Sequence, residues 1–325
     1  MKTPRLDGWI PIRLYWQESR LMADWCYLGT TLFSAPFFDQ TIEITLRHPF
    51  NLLFRRQTPI DVLGEWQVAQ PGLPPTGFIF HMSRCGSTLI SQMLSALPQN
   101  VVVSEAGPID FVLRAHFRDP RVTDDQRVPW LQWLVSALGQ RRHGHEKHFF
   151  IKFDSWHTID LPLIRRAFPS VPWIFVYRDP VEVIVSILRQ TPARMYPGQV
   201  EPSLLGLDAA TVFQMRQEEY VARMLAKFCE VALENRRSAA KLINYRQLPE
   251  VVWSELLDLF RVTHTPADLE RMSDVSQLNA KDPSTHFADD SESKRQDAND
   301  LVIEMADRWV MEPYECLEAA RLRSR

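Results

Sequence analysis

Residues 78–94 read Phe-Ile-Phe-His-Met-Ser-Arg-Cys-Gly-Ser-Thr-Leu-Ile-Ser-Gln-Met-Leu, and this stretch decides the fold. An apolar strand leads into a tight loop with one glycine, and a helix follows that opens with hydroxyl side chains. The loop and the first helical turn carry N–H groups without intrahelical partners, and the helix dipole adds positive potential there. Gly86 has no side chain and lets a phosphate approach the backbone closely. Ser87, Thr88 and Arg84 add further donors, so the stretch predicts an anion site at a strand–helix junction.

The loop differs from the form used by nucleoside triphosphatases. That form is G-x-x-x-x-G-K-[ST], in which a lysine precedes the Ser/Thr that holds magnesium. Here Gly86 precedes Ser87, and the basic residue, Arg84, lies two places before the glycine. The match is short enough to occur at an ordinary strand–turn–helix junction, so a second motif has to support it.

Residues 172–189 supply that second motif, Pro-Trp-Ile-Phe-Val-Tyr-Arg-Asp-Pro-Val-Glu-Val-Ile-Val-Ser-Ile-Leu-Arg. The apolar run before Arg178 predicts a buried parallel strand with the arginine at its carboxyl end. Ser186 follows eight residues later, about two turns into the next helix, where it can share one bound phosphate with Arg178. Alternatively, Arg178 pairs with Asp179 and Ser186 is buried inside the helix.

Together the two motifs resemble the sulfotransferase family. R-C-G-S-T-L is similar to the family's 5′-phosphosulfate loop, and R-D-P-V-E-V-I-V-S to its 3′-phosphate motif, R-[ND]-P-x-[DE]-x-x-x-S. The resemblance covers residues 76–310 and is nearest to the bacterial and tyrosylprotein-type branches, which carry arginine in the loop. It implies 3′-phosphoadenosine 5′-phosphosulfate as sulfuryl donor. The residues that it implies for donor binding are Arg84, Cys85, Gly86, Ser87, Thr88, Arg178 and Ser186. Cys85 would either fill the family's small serine position or be a thiol of low pKa.

The resemblance also implies catalytic residues. Glu105 stands where tyrosylprotein-type enzymes have a catalytic glutamate, and a carboxylate can take the proton from an attacking hydroxyl; alternatively it is a solvated loop acid. Lys152 ends an apolar strand where the family often has the lysine of K-x-P, which reaches the transferring sulfuryl group. Asp154 replaces the expected proline, so a plain Lys152–Asp154 pair is the alternative.

Two later segments extend the resemblance. Tyr245 resembles the tyrosine of the family's Y-E-D-L segment, which borders the nucleotide, although Arg-Gln follows it instead of an acidic pair. Residues 289–295 resemble the family's flexible cofactor loop, although the usual R-K-G is absent. In that loop Ser293, with a catalytic role, and Lys294, with a binding role, would close over the donor. The alternative is an ordinary solvated loop.

Composition restricts the class of protein. The chain has 325 residues, 45% hydrophobic and 24% charged, as expected for a globular enzyme with a large core. A net charge of −3 argues against a general nucleic-acid footprint. The four cysteines fit neither a disulfide framework nor a zinc site, which favours a reducing compartment. The first residues lack a signal-peptide core and no apolar run could span a bilayer, so we expect a cytoplasmic protein.

The N-terminal region, residues 1–75, looks β-rich and distinct from the rest. Residues 10–17 and 21–28 flank a polar turn, as in a hairpin, and residues 41–47 look like a third strand. A proline-rich segment before residue 76 marks a linker. This region would pack against the main sheet, form a homodimer contact or wall the acceptor pocket.

Residues 76–325 are predicted to form a P-loop-type α/β domain, a parallel sheet flanked by helices. The predicted strands are 78–82, 100–104, 148–153 and 172–177. The predicted helices are 87–97, 108–140, 158–167, 180–190, 208–239, 249–260 and 299–323. Ligands of such sheets bind beyond the carboxyl ends of the strands. Since Arg84, Glu105, Lys152 and Arg178 all fall at these ends, we expect one shared site.

Two further features can be explained without a catalytic or metal-binding role. His143, His145 and His148 fit no metal-site spacing and suggest a solvated loop. Trp156 would either pack in the core or face the cofactor or an aromatic acceptor.

The predicted function is sulfuryl transfer to an acceptor hydroxyl, on a small molecule or a peptide, by in-line attack with Glu105 as base and without a metal. Arg84 and Lys152 would offset the charge that grows on the bridging oxygen. One alternative is an ATP-dependent phosphotransferase, and another is a catalytically silent nucleotide-binding protein on the same fold.

Overall fold

The computed structural model describes residues 5–236, 240–286 and 290–323, and it shows a mixed α/β protein. In that part of the chain the strands are β1 (Trp9–Gln17), β2 (Arg20–Tyr27), β3 (Arg56–Pro59), β4 (Gly77–His81), β5 (Asn100–Ser104), β6 (His148–Lys152), β7 (Trp173–Tyr177), β8 (Ala240–Asn244), β9 (Leu278–Asn279) and β10 (Asp282–His286). The helices are α1 (Phe38–Leu46), α2 (Pro49–Leu53), α3 (Asp61–Ala69), α4 (Ser87–Ser95), α5 (Gly107–Arg118), α6 (Asp124–Leu138), α7 (Leu161–Ala167), α8 (Pro180–Arg189), α9 (Ala209–Gln214), α10 (Gln217–Glu234), α11 (Leu257–Leu259), α12 (Pro266–Ser276), α13 (Ser291–Gln296), α14 (Asp300–Met305) and α15 (Met311–Arg323).

A five-stranded parallel sheet forms the centre, in the order β5-β6-β4-β7-β8. Strands β4, β5 and β7 are buried along their whole length, as continuous apolar strands covered on both faces should be. This confirms the predicted fold class. Ile79 in β4 pairs with both Lys152 in β6 and Ile174 in β7, so three predicted site segments end at one edge.

Most predicted helices of this part are present, with two corrections. Residues 108–140, expected to be largely helical, form the two helices α5 and α6, and Asp119 and Thr123 between them are extended. The continuous helix predicted over 208–239 is wrong, because Met215 and Arg216 are both extended, with ψ of 143° and 153°, and separate α9 from α10. The Asp208 side chain caps α9 by accepting from the Thr211 N–H. Residues 237–239 lie outside the described residues. A 3₁₀ turn, Ser155–Asp160, precedes α7, and π-helical turns at Val252–Leu256 and Ala306–Val310 interrupt the last two predicted helices.

The N-terminal region contains the predicted hairpin and one wrongly predicted strand. Strands β1 and β2 are antiparallel, and β3 pairs with the other edge of β2. Residues 41–47 lie mostly in helix α1 instead of a strand. Its buried residues Phe38, Thr41 and Ile42 recur at i, i+3 and i+4, which is the spacing of a helix that packs on one face.

The N-terminal region packs onto the helices of the main sheet. Strand β1 lies against α5 and α6, and α3 lies against α6. The Trp16 and Trp130 rings meet edge to face with centroids 6.4 Å apart. One continuous hydrophobic core therefore joins both parts, while the division at residues 75/76 stays a prediction. None of the helices described here is both long and apolar enough to cross a bilayer.

Candidate active site

The loop between β4 and α4 has the backbone of an anion site. Ser83, Arg84 and Gly86 adopt positive φ of 79°, 49° and 88°. Left-handed residues in succession create a concave array of N–H groups that accepts anions. A Cβ on Gly86 would lie 2.5 Å from Leu248 Cδ1 and 3.0 Å from Tyr245 Cδ2. Only glycine therefore fits this position, both for its φ and for the close approach of Tyr245.

Side-chain hydrogen bonds hold this loop against the next strand of the sheet. Cys85 Sγ donates to the Val176 carbonyl at 3.0 Å, and the Arg178 N–H donates to Met82 Sδ at 3.2 Å. Burial raises the pKa of the Cys85 thiol to about 12. The low-pKa alternative for Cys85 is therefore wrong, and the residue acts as a small buried anchor of the loop.

Arg84 carries a positive charge that no described carboxylate pairs closely, although the charge of Asp290 acts on it. Its Nη2 donates to the Ser186 carbonyl at 3.2 Å and to Gln190 Oε1 at 3.0 Å. Its Nε is buried without a hydrogen-bond partner, and Arg84 forms no ion pair with any described residue. Partial burial lowers its pKa from the ordinary arginine value, but a guanidinium stays charged. An anion in the loop would supply the missing partner.

Glu105 and Lys152 form an ion pair at the carboxyl ends of β5 and β6. Lys152 Nζ binds Glu105 Oε1, and the Glu105 N–H donates to the Lys152 carbonyl at 2.7 Å. Glu105 adopts a left-handed φ of 56°, an unfavourable conformation that places its carboxylate at this edge. Lys152 is fully buried, and its ammonium lies 5.0 Å from the Phe37 ring centroid. The predicted alternative, a Lys152–Asp154 pair, is not what the structure shows.

His81 completes this group, and the sequence analysis did not assign it a role. His81 Nδ1 accepts from the Ser83 N–H at 3.0 Å, which leaves the proton on Nε2. Nε2 lies 3.1 Å from the Phe153 carbonyl and 3.7 Å from Glu105 Oε1. Burial lowers the pKa of His81, so the neutral ring links the loop, through Ser83, to the Phe153 carbonyl and lies beside the Glu105 carboxylate.

The proton affinity of Glu105 follows from these neighbours. Burial acts to raise the pKa of Glu105, but the charge of Lys152 and the neighbouring His81, 3.7 Å away, outweigh it. The pKa of the carboxyl is held well below its usual range. Glu105 is therefore ionised at neutral pH, and it is a weak base as long as Lys152 stays paired with it.

A second cationic group lies at the end of β7. Arg178 is buried, its Nε donates to Glu182 Oε2 at 2.6 Å, and its Cζ lies 4.0 Å from the Tyr245 ring centroid. Asp179, the alternative partner of Arg178, instead caps α8 by accepting from the Glu182 N–H. Arg178 Nη2 also donates to Ser291 Oγ at 2.9 Å, which connects the strand end to α13.

Helix α13 replaces the flexible loop that was predicted over 289–295. Lys294 is buried, and its Nζ donates to Asp290 Oδ1 at 2.7 Å. Asp290 Oδ1 also lies 3.6 Å from Arg178 Nη2, so one carboxylate faces two cations. Ser293 is exposed, and its Oγ accepts from Arg189 at 2.8 Å, which leaves the predicted catalytic role of Ser293 without structural support. Asp289 lies outside the described residues.

One cleft of about 770 Å³ brings these groups together. The predicted site residues that line it are Arg84, Cys85, Gly86, Ser87, Thr88, Glu105, Arg178, Ser186, Tyr245 and Lys294. Lys152 lies beneath it behind Glu105, and Ser293 is not among the described lining residues. Lining residues without a predicted role include Phe37, His81, Lys281, His286 and Asp290. Of these, His81 lies just before the loop motif and Asp290 lies within the predicted segment 289–295.

The remaining sequence candidates do not add to the cleft. Trp156 is buried between Arg114 and Arg194, whose guanidinium carbons lie 4.1 Å and 4.0 Å from its ring, and it packs there instead of facing the cleft. Nowhere in the described ranges do three or more His, Cys, Asp or Glu side chains group as a metal site.

The fold and the site define a parallel α/β protein with a cationic cleft at the carboxyl edge of its sheet. Residues 75–235 match the model of the Sulfotransferase family. This match supports the assignment of the chain to the sulfotransferase family, and with it to the transferases.

Several solved structures are similar to the chain. The sulfotransferase domain from the curacin biosynthetic pathway is 18% identical, with a TM-score of 0.42, over 74% of this chain and 92% of that chain. The sulfotransferase domain of the Synechococcus PCC 7002 olefin synthase is 16% identical, with a TM-score of 0.42, over 74% and 95%. Sulfotransferase STF9 from Mycobacterium avium is 13% identical, with a TM-score of 0.42, over 76% and 79%. No curated protein matches the chain.

Proposed function

We propose that the protein transfers a sulfuryl group from 3′-phosphoadenosine 5′-phosphosulfate to an acceptor hydroxyl, on a small molecule or a peptide. The observation that carries this proposal is that the two phosphate motifs line one cleft, with Arg84 in one and Arg178 in the other. Both arginines are permanent cations at strand ends, where ligands of parallel sheets bind.

The residues fit such a donor. The buried Nε of Arg84 has no partner among described residues, and the glycine at 86 lets Tyr245 and Leu248 lie close against the loop. The 84–88 loop would hold the 5′-phosphosulfate, while Arg178, Ser186 and Lys294 would hold the 3′-phosphate. Tyr245, stacked on Arg178, would border the nucleotide.

Glu105 would accept the proton of the acceptor hydroxyl as the oxygen attacks sulfur in line. The new O–S bond forms while the S–O bond to the 5′-phosphate breaks, and the electron pair stays on the leaving phosphate. Arg84 and Lys152 would offset the charge on that oxygen.

The ion pair gives Lys152 a second role in this mechanism. The phosphosulfate would draw the Lys152 ammonium away from Glu105. The proton affinity of the buried carboxylate would then rise, because burial is no longer outweighed by the lysine charge. The base would thus become effective once the donor is bound.

A calorimetric titration with 3′-phosphoadenosine 5′-phosphate tests the proposal, with 5′-AMP and ATP as comparison ligands. We expect binding that requires the 3′-phosphate and that Arg178→Ala weakens by about 100-fold, the magnitude of a lost charge-assisted contact. Arg118→Ala, at the exposed end of α5, is the matched arginine control. Stronger binding of ATP, with magnesium-dependent ATP consumption, would instead support the phosphotransferase. Tight donor binding without transfer to any hydroxyl acceptor would support the silent protein.

A further inference from the structure

The hairpin β9–β10 forms a wall of the cleft that no motif indicated. Its two strands are antiparallel, and Asn279 Oδ1 accepts the Lys281 N–H at 3.1 Å within the connecting turn. Residues Leu278, Asn279, Ala280, Lys281 and His286 of this segment line the same cleft as the 84–88 loop. The hairpin thus brings a lysine to the anion loop from a distant part of the sequence.

Two cations of this cleft form no close ion pair with a described residue, although the charges of Asp290 and Glu105 act on Arg84 and Lys281, respectively. Lys281 forms no ion pair with a carboxylate of the described chain, and the same holds for Arg84. Arg84 Nε is in addition buried without a hydrogen-bond partner. Most arginines and lysines near the cleft are paired, as Arg178 is with Glu182. Cations that converge on one space repel one another, and a bound anion would relieve that repulsion.

The electrostatics of Lys281 identify which end of the cleft it faces. Partial desolvation and then the charges of Arg84 and Lys152 lower the pKa of Lys281 to about 8, while Glu105 acts in the opposite direction. The titratable groups whose charges act on Lys281 are thus Arg84, Lys152, Glu105 and Cys85, while His286 and Asp290 line the same cleft. Lys152 and Glu105 belong to the phosphosulfate end. Lys294 instead donates to Asp290 at 2.7 Å, and burial together with the charges of Arg178 and Arg84 lowers its pKa.

We propose that Lys281 is a further ligand of the donor, binding its 5′-phosphosulfate from the side of the cleft opposite the 84–88 loop. This inference rests on the proposed function. With Arg84 and Lys152, Lys281 gives the phosphosulfate end three cations. The hairpin thereby becomes a donor-binding element, and the charge left on the 5′-phosphate after transfer is shared by groups from three separate segments.

Three variants test this role. Lys281→Gln removes the charge, Lys281→Arg keeps it, and Lys147→Gln removes an exposed lysine elsewhere on the surface. The ligands are 3′-phosphoadenosine 5′-phosphate and adenosine 3′-monophosphate, which lacks the 5′ group. Lys281→Gln should weaken binding of the first about tenfold or more, as expected for one charge-assisted contact, and leave binding of the second unchanged. Lys281→Arg should restore the affinity, and Lys147→Gln should not change it.

The pH dependence gives a second readout. Binding of 3′-phosphoadenosine 5′-phosphate to the unmodified protein should weaken between about pH 7.5 and 9.5, because Lys281 loses its proton there. Lys281→Arg should bind without this loss, since arginine keeps its charge.

The outcomes separate the two proposals. If the unmodified protein shows no 3′-phosphate-dependent binding, the proposed function is wrong, and the role of Lys281 is wrong with it. If Arg178→Ala loses binding while Lys281→Gln binds as the unmodified protein does, the proposed function stands and the role of Lys281 is overturned. Equal weakening of both nucleotides in Lys281→Gln would likewise exclude a specific contact to the 5′ group.

Discussion

Glu105 and Lys152 are joined twice, once by the ion pair of their side chains and once by the Glu105 N–H, which donates to the Lys152 carbonyl at 2.7 Å. The backbone bond fixes the two strand ends, so the ammonium can leave the carboxylate without the strands separating. The side-chain ion pair can therefore break while the backbone stays in place. The proposed activation of Glu105 as a base requires such a change.

Lys152→Met should impair turnover and raise the pH at which activity appears. With lysine present, the pKa of Glu105 is below its usual range, so the carboxylate is ionised, and its stabilising pair is lost only as pH falls through that low value. Without the lysine, burial raises the pKa of Glu105, so this carboxyl takes up a proton at a higher pH. The acid limb of the kcat/KM profile should shift upward, and kcat should fall by roughly 10²–10³. Lys147→Met is the control. An acid limb that does not move would contradict the coupling.

Glu105→Gln should separate binding from catalysis. The amide keeps the size of the side chain but cannot accept the proton, so turnover should fall by roughly 10²–10⁴ while 3′-phosphoadenosine 5′-phosphate still binds. Glu105→Ala should behave alike. Steady-state kinetics with calorimetry on the same samples measure both quantities. Normal turnover in either variant would show that the base is a different group.

Asp290→Asn should strengthen binding of nucleotides that carry a 3′-phosphate. The Asp290 carboxylate lies 2.7 Å from Lys294 Nζ and 3.6 Å from Arg178 Nη2. It therefore competes with a 3′-phosphate for these two cations. Because Asp290 is half exposed, solvent screens the pair, and the gain should be only about two- to fivefold. Asp297→Asn, whose partner is Arg189, is the control. Weaker binding would mean that Asp290 instead positions Lys294 for the ligand.

Gly86→Ala and Gly144→Ala form a matched pair. Both glycines have left-handed φ, 88° and 85°, but a Cβ at 86 meets Leu248 at 2.5 Å while a Cβ at 144 meets nothing within 4 Å. Backbone strain alone should cost about 1–2 kcal/mol in Gly144→Ala. Gly86→Ala should lose about 1–3 kcal/mol more through the clash, and it should also lose donor binding. Denaturant unfolding and calorimetry measure the two effects. If both substitutions lowered the free energy of unfolding equally, the Leu248 and Tyr245 side chains would be able to move aside without cost.

The sequence predicted the parts of the fold that local patterns encode. Strands β4 and β7 are continuous apolar runs with sharp ends, so their bounds and the loops after them could be predicted. The strand predicted over residues 41–47 was wrong because the alternating pattern of a strand and the one-sided pattern of a helix are hard to tell apart over so short a stretch. Strand β8, Ala-Lys-Leu-Ile-Asn, is an edge strand that was not predicted at all.

The site was predictable only where a motif reaches it. The alternative considered for Lys152 was a pair with Asp154, its near neighbour in sequence. In the structure β6 ends at Lys152, and its side chain instead pairs with Glu105, which follows the adjacent strand β5. Lys281 lies in a polar, exposed hairpin without hydrophobic periodicity, so tertiary contacts alone bring it to the cleft. Asp290 also reaches the cleft through tertiary contacts, because it directly precedes helix α13, which packs beside the site.

The anchoring of the 84–88 loop has a consequence for ligand choice. The thiol of Cys85 and the thioether of Met82 bond directly to the strand that carries Arg178, and Arg84 bonds to the helix that follows it. The distance between the two proposed phosphate sites would thus be set by the protein before any ligand arrives. The cleft would then favour a nucleotide with phosphates at both its 3′ and 5′ positions over one, such as ATP, with all its phosphates at the 5′ position.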